Sequence, residues 1–166
     1  IDYEKKYSLN NNYSILQNGV DTELFINNYK KNNQLIFVGK LTRFGKSRNL
    51  DFIINSFSKL DSSYKLKIIG AKKGEEEAFD DLLKDKTIKE RVEILPYISH
   101  EEAIKHISES EIGLLVNSEK NIHSTRYTSP LKYFEYLLGD LKVVATDYEA
   151  HKKLTYSEKI SFFNLK

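Results

Sequence analysis

Glu135 is a carboxylate in an unusual place. It lies in S-P-L-K-Y-F-E-Y-L-L-G, residues 129–139, a stretch that reads as a short helix. Ser129 suits the N-cap, Pro130 the first helical position and Gly139 the left-handed residue that ends the helix. In that helix Leu131, Phe134, Glu135 and Leu138 share one face, so a charge sits on the apolar stripe. Two chemistries fit. Glu135 either swings out to pair with Lys132, worth about 0.2–0.5 kcal/mol on an exposed helix, or lines a pocket near the helix N-terminus. There the unpaired N–H groups and the positive end of the dipole favour phosphate.

A second candidate is K-L-T-R-F-G-K-S-R at 40–48, which sets Lys40, Arg43, Lys46 and Arg48 in a loop between an expected strand and an expected helix. Strand, basic loop and helix follow each other in this order in phosphate-binding turns of open α/β sheets. The alternative is four solvated charges with no ligand. Gly39 and Gly45 do not complete G-x-G-x-x-G, and G-K-[ST] at Walker spacing is absent.

Other chemistries are disfavoured. With no cysteine there is no disulfide, thiolate metal site or cysteine nucleophile. His100 and His106 do not share a helix face, and no Asp-x-Asp pair occurs, so no metal site is expected. The run Glu75, Glu76, Glu77, Asp80, Asp81 reads as a solvated face at a helix N-terminal half. A net charge of +2 asks for neither nucleic acid nor an anionic membrane. The 166 residues, 40% hydrophobic, suffice for one core, and neither a signal-peptide core nor a membrane-length apolar run appears. A soluble cytoplasmic domain is expected. The absence of Met suggests a piece excised from something larger.

The elements that would position these residues alternate. Residues 1–12 read as a linker or frayed end, and 13–166 as one domain. Strands are expected at Tyr13–Gln17, Gln34–Val38, Tyr64–Ile69, Val92–Leu95, Ile112–Val116, Leu141–Ala145 and Ile160–Phe163. Helices are expected at Ser47–Leu60, Glu75–Lys86, from a capping box at Ser99–Glu102 to Ser110, and at Glu149–Leu154. This predicts an α/β, Rossmann-like three-layer domain with a parallel sheet of about six strands. The polar stretch Asn117–Thr128 is long for a connection within a compact domain, which points to function. Because the chain stops just after its last strand, covering helices are expected to be missing.

I-L-Q-N-G-V-D-T-E-L-F at Ile15–Phe25, F-V-G-K-L at Phe37–Leu41 and S-P-L-K-Y-F-E-Y-L-L-G-D-L-K-V-V-A-T-D ending at Asp147 together resemble the C-terminal, nucleotide-sugar-binding domain of GT-B glycosyltransferases of the retaining group 1 family. The resemblance implies that Lys40, after Gly39, and Lys46 contact the diphosphate of a nucleoside diphosphate sugar. It implies that Glu135 holds the ribose hydroxyls, that backbone N–H groups of Leu131 and Lys132, next to Ser129, meet phosphate or sugar, and that main chain near Ile98 meets the base. Tyr127 stands where the family usually has a sugar-contacting Glu. No cofactor beyond the donor is implied. The acceptor would bind an N-terminal domain not present here, through which any peripheral membrane contact would also run. A noncatalytic nucleotide-binding module and a sugar-nucleotide epimerase are the competing readings.

Overall fold

In the computed structural model, residues 16–25, 29–43, 46–120 and 122–165 are described, with backbone only at 43, 46, 47, 76 and 78. Six strands form one sheet: β1 (Asn32–Val38), β2 (Lys65–Ala71), β3 (Val92–Pro96), β4 (Ser110–Leu115), β5 (Lys142–Thr146) and β6 (Ile160–Phe163). Their order is β3-β2-β1-β4-β5-β6, with every neighbouring pair parallel. That is the doubly wound order, and its switch point, where ligands bind in this class of sheet, lies at the carboxyl ends of β1 and β4.

The apolar run of β1 is continuous because both faces are covered. Leu35 and Phe37 point into one core, with α1 (Leu50–Phe57), and Ile36 and Val38 into the other, with α3 (His100–Ser108) and α4 (Leu131–Leu138). The first core also takes Ile88 from α2 (Lys86–Lys89), and the second core takes Leu154, two residues past the end of α5 (Glu149–Lys152). The capping box forms as expected: Ser99 Oγ accepts from the Glu102 N–H and Glu102 accepts from the Ser99 N–H.

Three expected elements come out differently. Tyr13–Ile15 of the first expected strand lie outside the described residues, while Leu16 and Gln17 are not in a strand. The helix expected over Glu75–Lys86 is a 3-10 turn, Glu76–Phe79, followed by turns. Five carboxylates within seven positions repel along a helix, and Asp85 accepts from the Thr87 N–H at 2.8 Å to start α2 afresh. Phe79, Leu82 and Leu83 still pack into the core. Before α1, the basic loop folds into a short antiparallel pair, Thr42–Arg43 with Lys46–Ser47, so the helix starts only at Leu50.

Both ends of α4 also depart from expectation. Pro130, not Ser129, is the cap residue, and the buried Ser129 hydroxyl has no hydrogen-bond partner among the described residues. Gly139 has an ordinary φ of −75°; Asp140 takes the left-handed turn at 55°. The N–H of Leu141 reaches the Tyr136 carbonyl and that of Asp140 the Leu137 carbonyl, which is a Schellman ending. Gly139 is small for another reason: a Cβ there would lie 2.9 Å from Ile107 Cγ2 of α3. Because its hydroxyl caps nothing, Ser129→Ala should leave the melting temperature unchanged. A working N-cap would lose about 1 kcal/mol, so a drop of several degrees would restore Ser129 to the cap.

Candidate functional site

The buried face of α4 is Tyr133, Glu135 and Tyr136, while Leu131 and Leu138 are exposed. The expected stripe is thus rotated, since two tyrosines provide the apolar surface and carry hydroxyls to partners elsewhere in the chain. The Tyr133 hydroxyl donates to the Thr155 carbonyl at 2.6 Å. Tyr136, fully buried, packs its ring over Gly113 of β4, and its oxygen accepts the Val38 N–H at 3.1 Å. Burial pushes the Tyr136 hydroxyl far above its ordinary pKa, so it stays neutral. Through this bond α4 is anchored to the end of β1, next to Gly39 and Lys40.

Glu135 is 1% exposed and does not swing out. Lys132 Nζ lies 2.5 Å from its Oε2, and the His100 Nε2 of α3 lies 3.0 Å from its Oε1. The Lys132 pair exists, but inside the fold rather than on its surface. A carboxylate taken out of water needs such partners to remain charged. His100 is what the sequence reading missed: the contact bridges two helices 35 positions apart, and no local spacing signals it.

The basic loop divides by role. Lys40 is exposed at the switch point and has no ion pair or hydrogen bond among the described residues. The backbone of Lys46 pairs with Arg43; its side chain lies outside the described residues. Arg48 is structural: it donates from Nε to the Val116 carbonyl at 2.9 Å and sits over the Phe37 ring at 4.9 Å. Its guanidinium fills the space beside Gly39, where a Cβ would be 2.9 Å from Nη1.

The remaining expected residues border the same end of the sheet. Ile98 is half-buried between β3 and α3, against the second core. Leu131 and Lys132 open α4, and N–H groups in a first turn have no acceptor within the helix. Tyr127, 52% exposed, ends a π-helical turn, His123–Tyr127, within the long loop. Asn18 Nδ2 donates to the Ser129 carbonyl at 2.6 Å, which ties the segment at Asn18 to the start of α4.

Behind the switch point is a buried amide-imidazole pair. His151 Nδ1 lies 2.8 Å from the Thr146 carbonyl, so that nitrogen carries the proton and Nε2 accepts from Asn117 Nδ2 at 3.3 Å. Burial lowers the His151 pKa and favours this neutral form. The Asn117 carbonyl takes the Asn49 amide and the Tyr148 hydroxyl, holding the end of β4 to α1 and α5. Among the described residues no three His, Asp or Glu side chains gather as metal ligands, and no helix is long and apolar enough to cross a membrane.

Residues 32–159 match the family described as glycosyl transferases group 1. Among curated proteins, none is significantly similar in sequence. Solved structures resemble the fold. WaaG, a glycosyltransferase involved in lipopolysaccharide biosynthesis, superposes with TM-score 0.62 at 16% identity, over 99% of this chain and 46% of its own. The C-terminal domain of a group 1 family protein, LpcC, from Francisella tularensis gives 0.58 at 17%, over 89% and 81%. The E. coli heptosyltransferase WaaC with ADP-2-deoxy-2-fluoro heptose gives 0.53 at 17%, over 97% and 46%. This chain thus spans less than half of WaaG and of WaaC.

Proposed function

Since the chain belongs to the group 1 glycosyl transferases, we propose that it is the donor-binding half of an enzyme that moves a hexose-type sugar from a nucleoside diphosphate to an acceptor, with retention at the anomeric carbon. The observation that carries this reading is Glu135, a buried carboxylate held one turn into the helix that opens beside the switch point. In the proposed complex the base lies along the main chain at Ile98 and the ribose on Glu135. The diphosphate meets Lys40, Lys46 and the first-turn N–H groups of Leu131 and Lys132, with Gly39, Ser129 and Tyr127 around the phosphate and sugar.

Breaking the bond between sugar and diphosphate places negative charge on the leaving phosphate. Lys40 is the described cation best placed for it, because it spends its charge on no carboxylate of its own. Fixed donors aimed at charge that develops only in the transition state are worth about 2.7–4 kcal/mol each in other enzymes. No cofactor besides the donor enters this scheme. The acceptor binds a second, N-terminal domain, a reading supported by the greater length of WaaG and WaaC. On this reading the 166 residues bind nucleotide but transfer no sugar, and the whole enzyme works in the cytoplasm, touching a membrane only through the other domain.

The test is Lys40→Ala. Nucleoside diphosphate binding should weaken at least tenfold, nucleoside binding should hold, and the loss should shrink as salt rises, since an exposed charge is screened within about 8–10 Å at ordinary ionic strength. Equal losses for nucleoside and diphosphate would make Lys40 structural and remove the phosphate from this end of the sheet.

A further inference from the structure

The carboxylate assigned to ribose is closed to solvent. At 1% exposure Glu135 admits no hydroxyl from solvent, so a covering group has to move before a ribose enters. Two side chains hold its oxygens. Lys132 comes from the preceding turn of the same helix, is 26% exposed, and pairs with Oε2. His100 comes from the other helix, is 55% exposed, and occupies Oε1.

His100 is also the cover that moves at least cost to the fold. It is the first residue of α3, just past the cap, so rotation about its Cα–Cβ bond takes the imidazole into water without touching the Ser99–Glu102 capping box. Its backbone lies two residues from Ile98, and its ring reaches Glu135.

We propose that His100 is a gate on the donor site, and that the ribose hydroxyl replaces its Nε2–H as the donor to Glu135 Oε1. The inference rests on the donor-site reading above. The exchange leaves Oε1 with one hydrogen bond before and after, while Lys132 keeps Oε2 and the second ribose hydroxyl joins it there. Its consequence is selective: ligands whose sugar carries hydroxyls work against the gate, and ligands without them leave it shut.

The experiment titrates the purified chain, wild type and His100→Ala, with UDP, ADP, GDP and CDP and with the 2′,3′-dideoxy form of each one that binds. Removing a competing hydrogen bond at the low end of the charge-assisted range, about 1.4 kcal/mol for this half-exposed imidazole, should tighten the preferred ribonucleotide roughly tenfold and leave its dideoxy form unchanged. His100→Gln, whose amide N–H can take the same acceptor, should restore wild-type affinity. In 15N spectra the His100 Nε2 signal should move on adding the ribonucleotide and stay put with the dideoxy form. A weaker ribonucleotide complex of His100→Ala would make the imidazole a ribose contact and overturn the gate, as would equal changes for both ligands. If no diphosphate binds wild type, the donor-site reading falls and the gate with it. If diphosphates bind and Lys40→Ala behaves as expected, an unresponsive His100 sinks the gate alone.

Discussion

Gly113→Ala should be among the most destabilising single changes in this chain, although it adds one methyl group. A Cβ at Gly113 would lie 2.4 Å from Tyr136 Cδ2 and 2.6 Å from Cγ, inside any contact that real atoms sustain. The ring cannot step aside freely, because Tyr136 is fully buried and its oxygen holds the Val38 N–H. Overpacking of this kind costs about 1–3 kcal/mol and sometimes more; for a chain of this size that lowers the melting temperature by roughly 2–4 °C per kcal/mol. Because Tyr136 neighbours Glu135, nucleotide affinity should fall with it. The mechanism has its own check. In a Tyr136→Leu background, which removes the ring, Gly113→Ala should cost much less, giving a strong coupling in a double-mutant cycle of melting or urea midpoints. Additive losses, or a Gly113→Ala protein as stable as wild type, would show that the strand and helix have slack at this point.

The part of the site that the sequence exposed is the part governed by local rules. Alternating apolar strands and helices specify the doubly wound sheet, and that topology alone brings Gly39 and Lys40 after β1 to the same end as the loop after β4. The capping box of α3 was legible because all its atoms lie within four residues. Glu135 was legible as an anomaly, since a carboxylate among apolar neighbours signals either a surface swing or a buried use. Its second partner was not legible. His100 meets Glu135 only because Gly139 and Ile107 let α3 and α4 pack closely, a fact of tertiary contact. The same limit explains the rotated stripe of α4: tyrosine counts as amphipathic by composition, and only the positions of Val38 and Thr155 make Tyr136 and Tyr133 the inward face. Arg48 shares the basic loop with Lys40, Arg43 and Lys46 in sequence, yet the Val116 carbonyl and the Phe37 ring claim it for the fold.

Glu135→Gln should lower affinity for the preferred ribonucleoside diphosphate by tenfold or more. A carboxylate that accepts both ribose hydroxyls makes charge-assisted hydrogen bonds of about 1.5–3 kcal/mol, whereas an amide keeps the size and loses the charge and one acceptor oxygen. The ion pair with Lys132 does not decide the matter by itself, because a carboxylate held in place by Lys132 is also a carboxylate oriented for a ligand. The decisive arrangement is a cycle in which wild type and Glu135→Gln each meet the ribonucleotide and its 2′,3′-dideoxy form. If the hydroxyls are the missing partner, the two proteins should bind the dideoxy form alike. The fold should survive the substitution. Lys132 is partly exposed and His100 more so, so both regain water when the charge they faced is gone. A mutant that loses both ligands equally while its melting temperature falls would make Glu135 a residue of the α3–α4 contact only. A mutant that binds both ligands as wild type does would place the ribose elsewhere, and the carboxylate at the switch point would then have no use beyond joining the two helices.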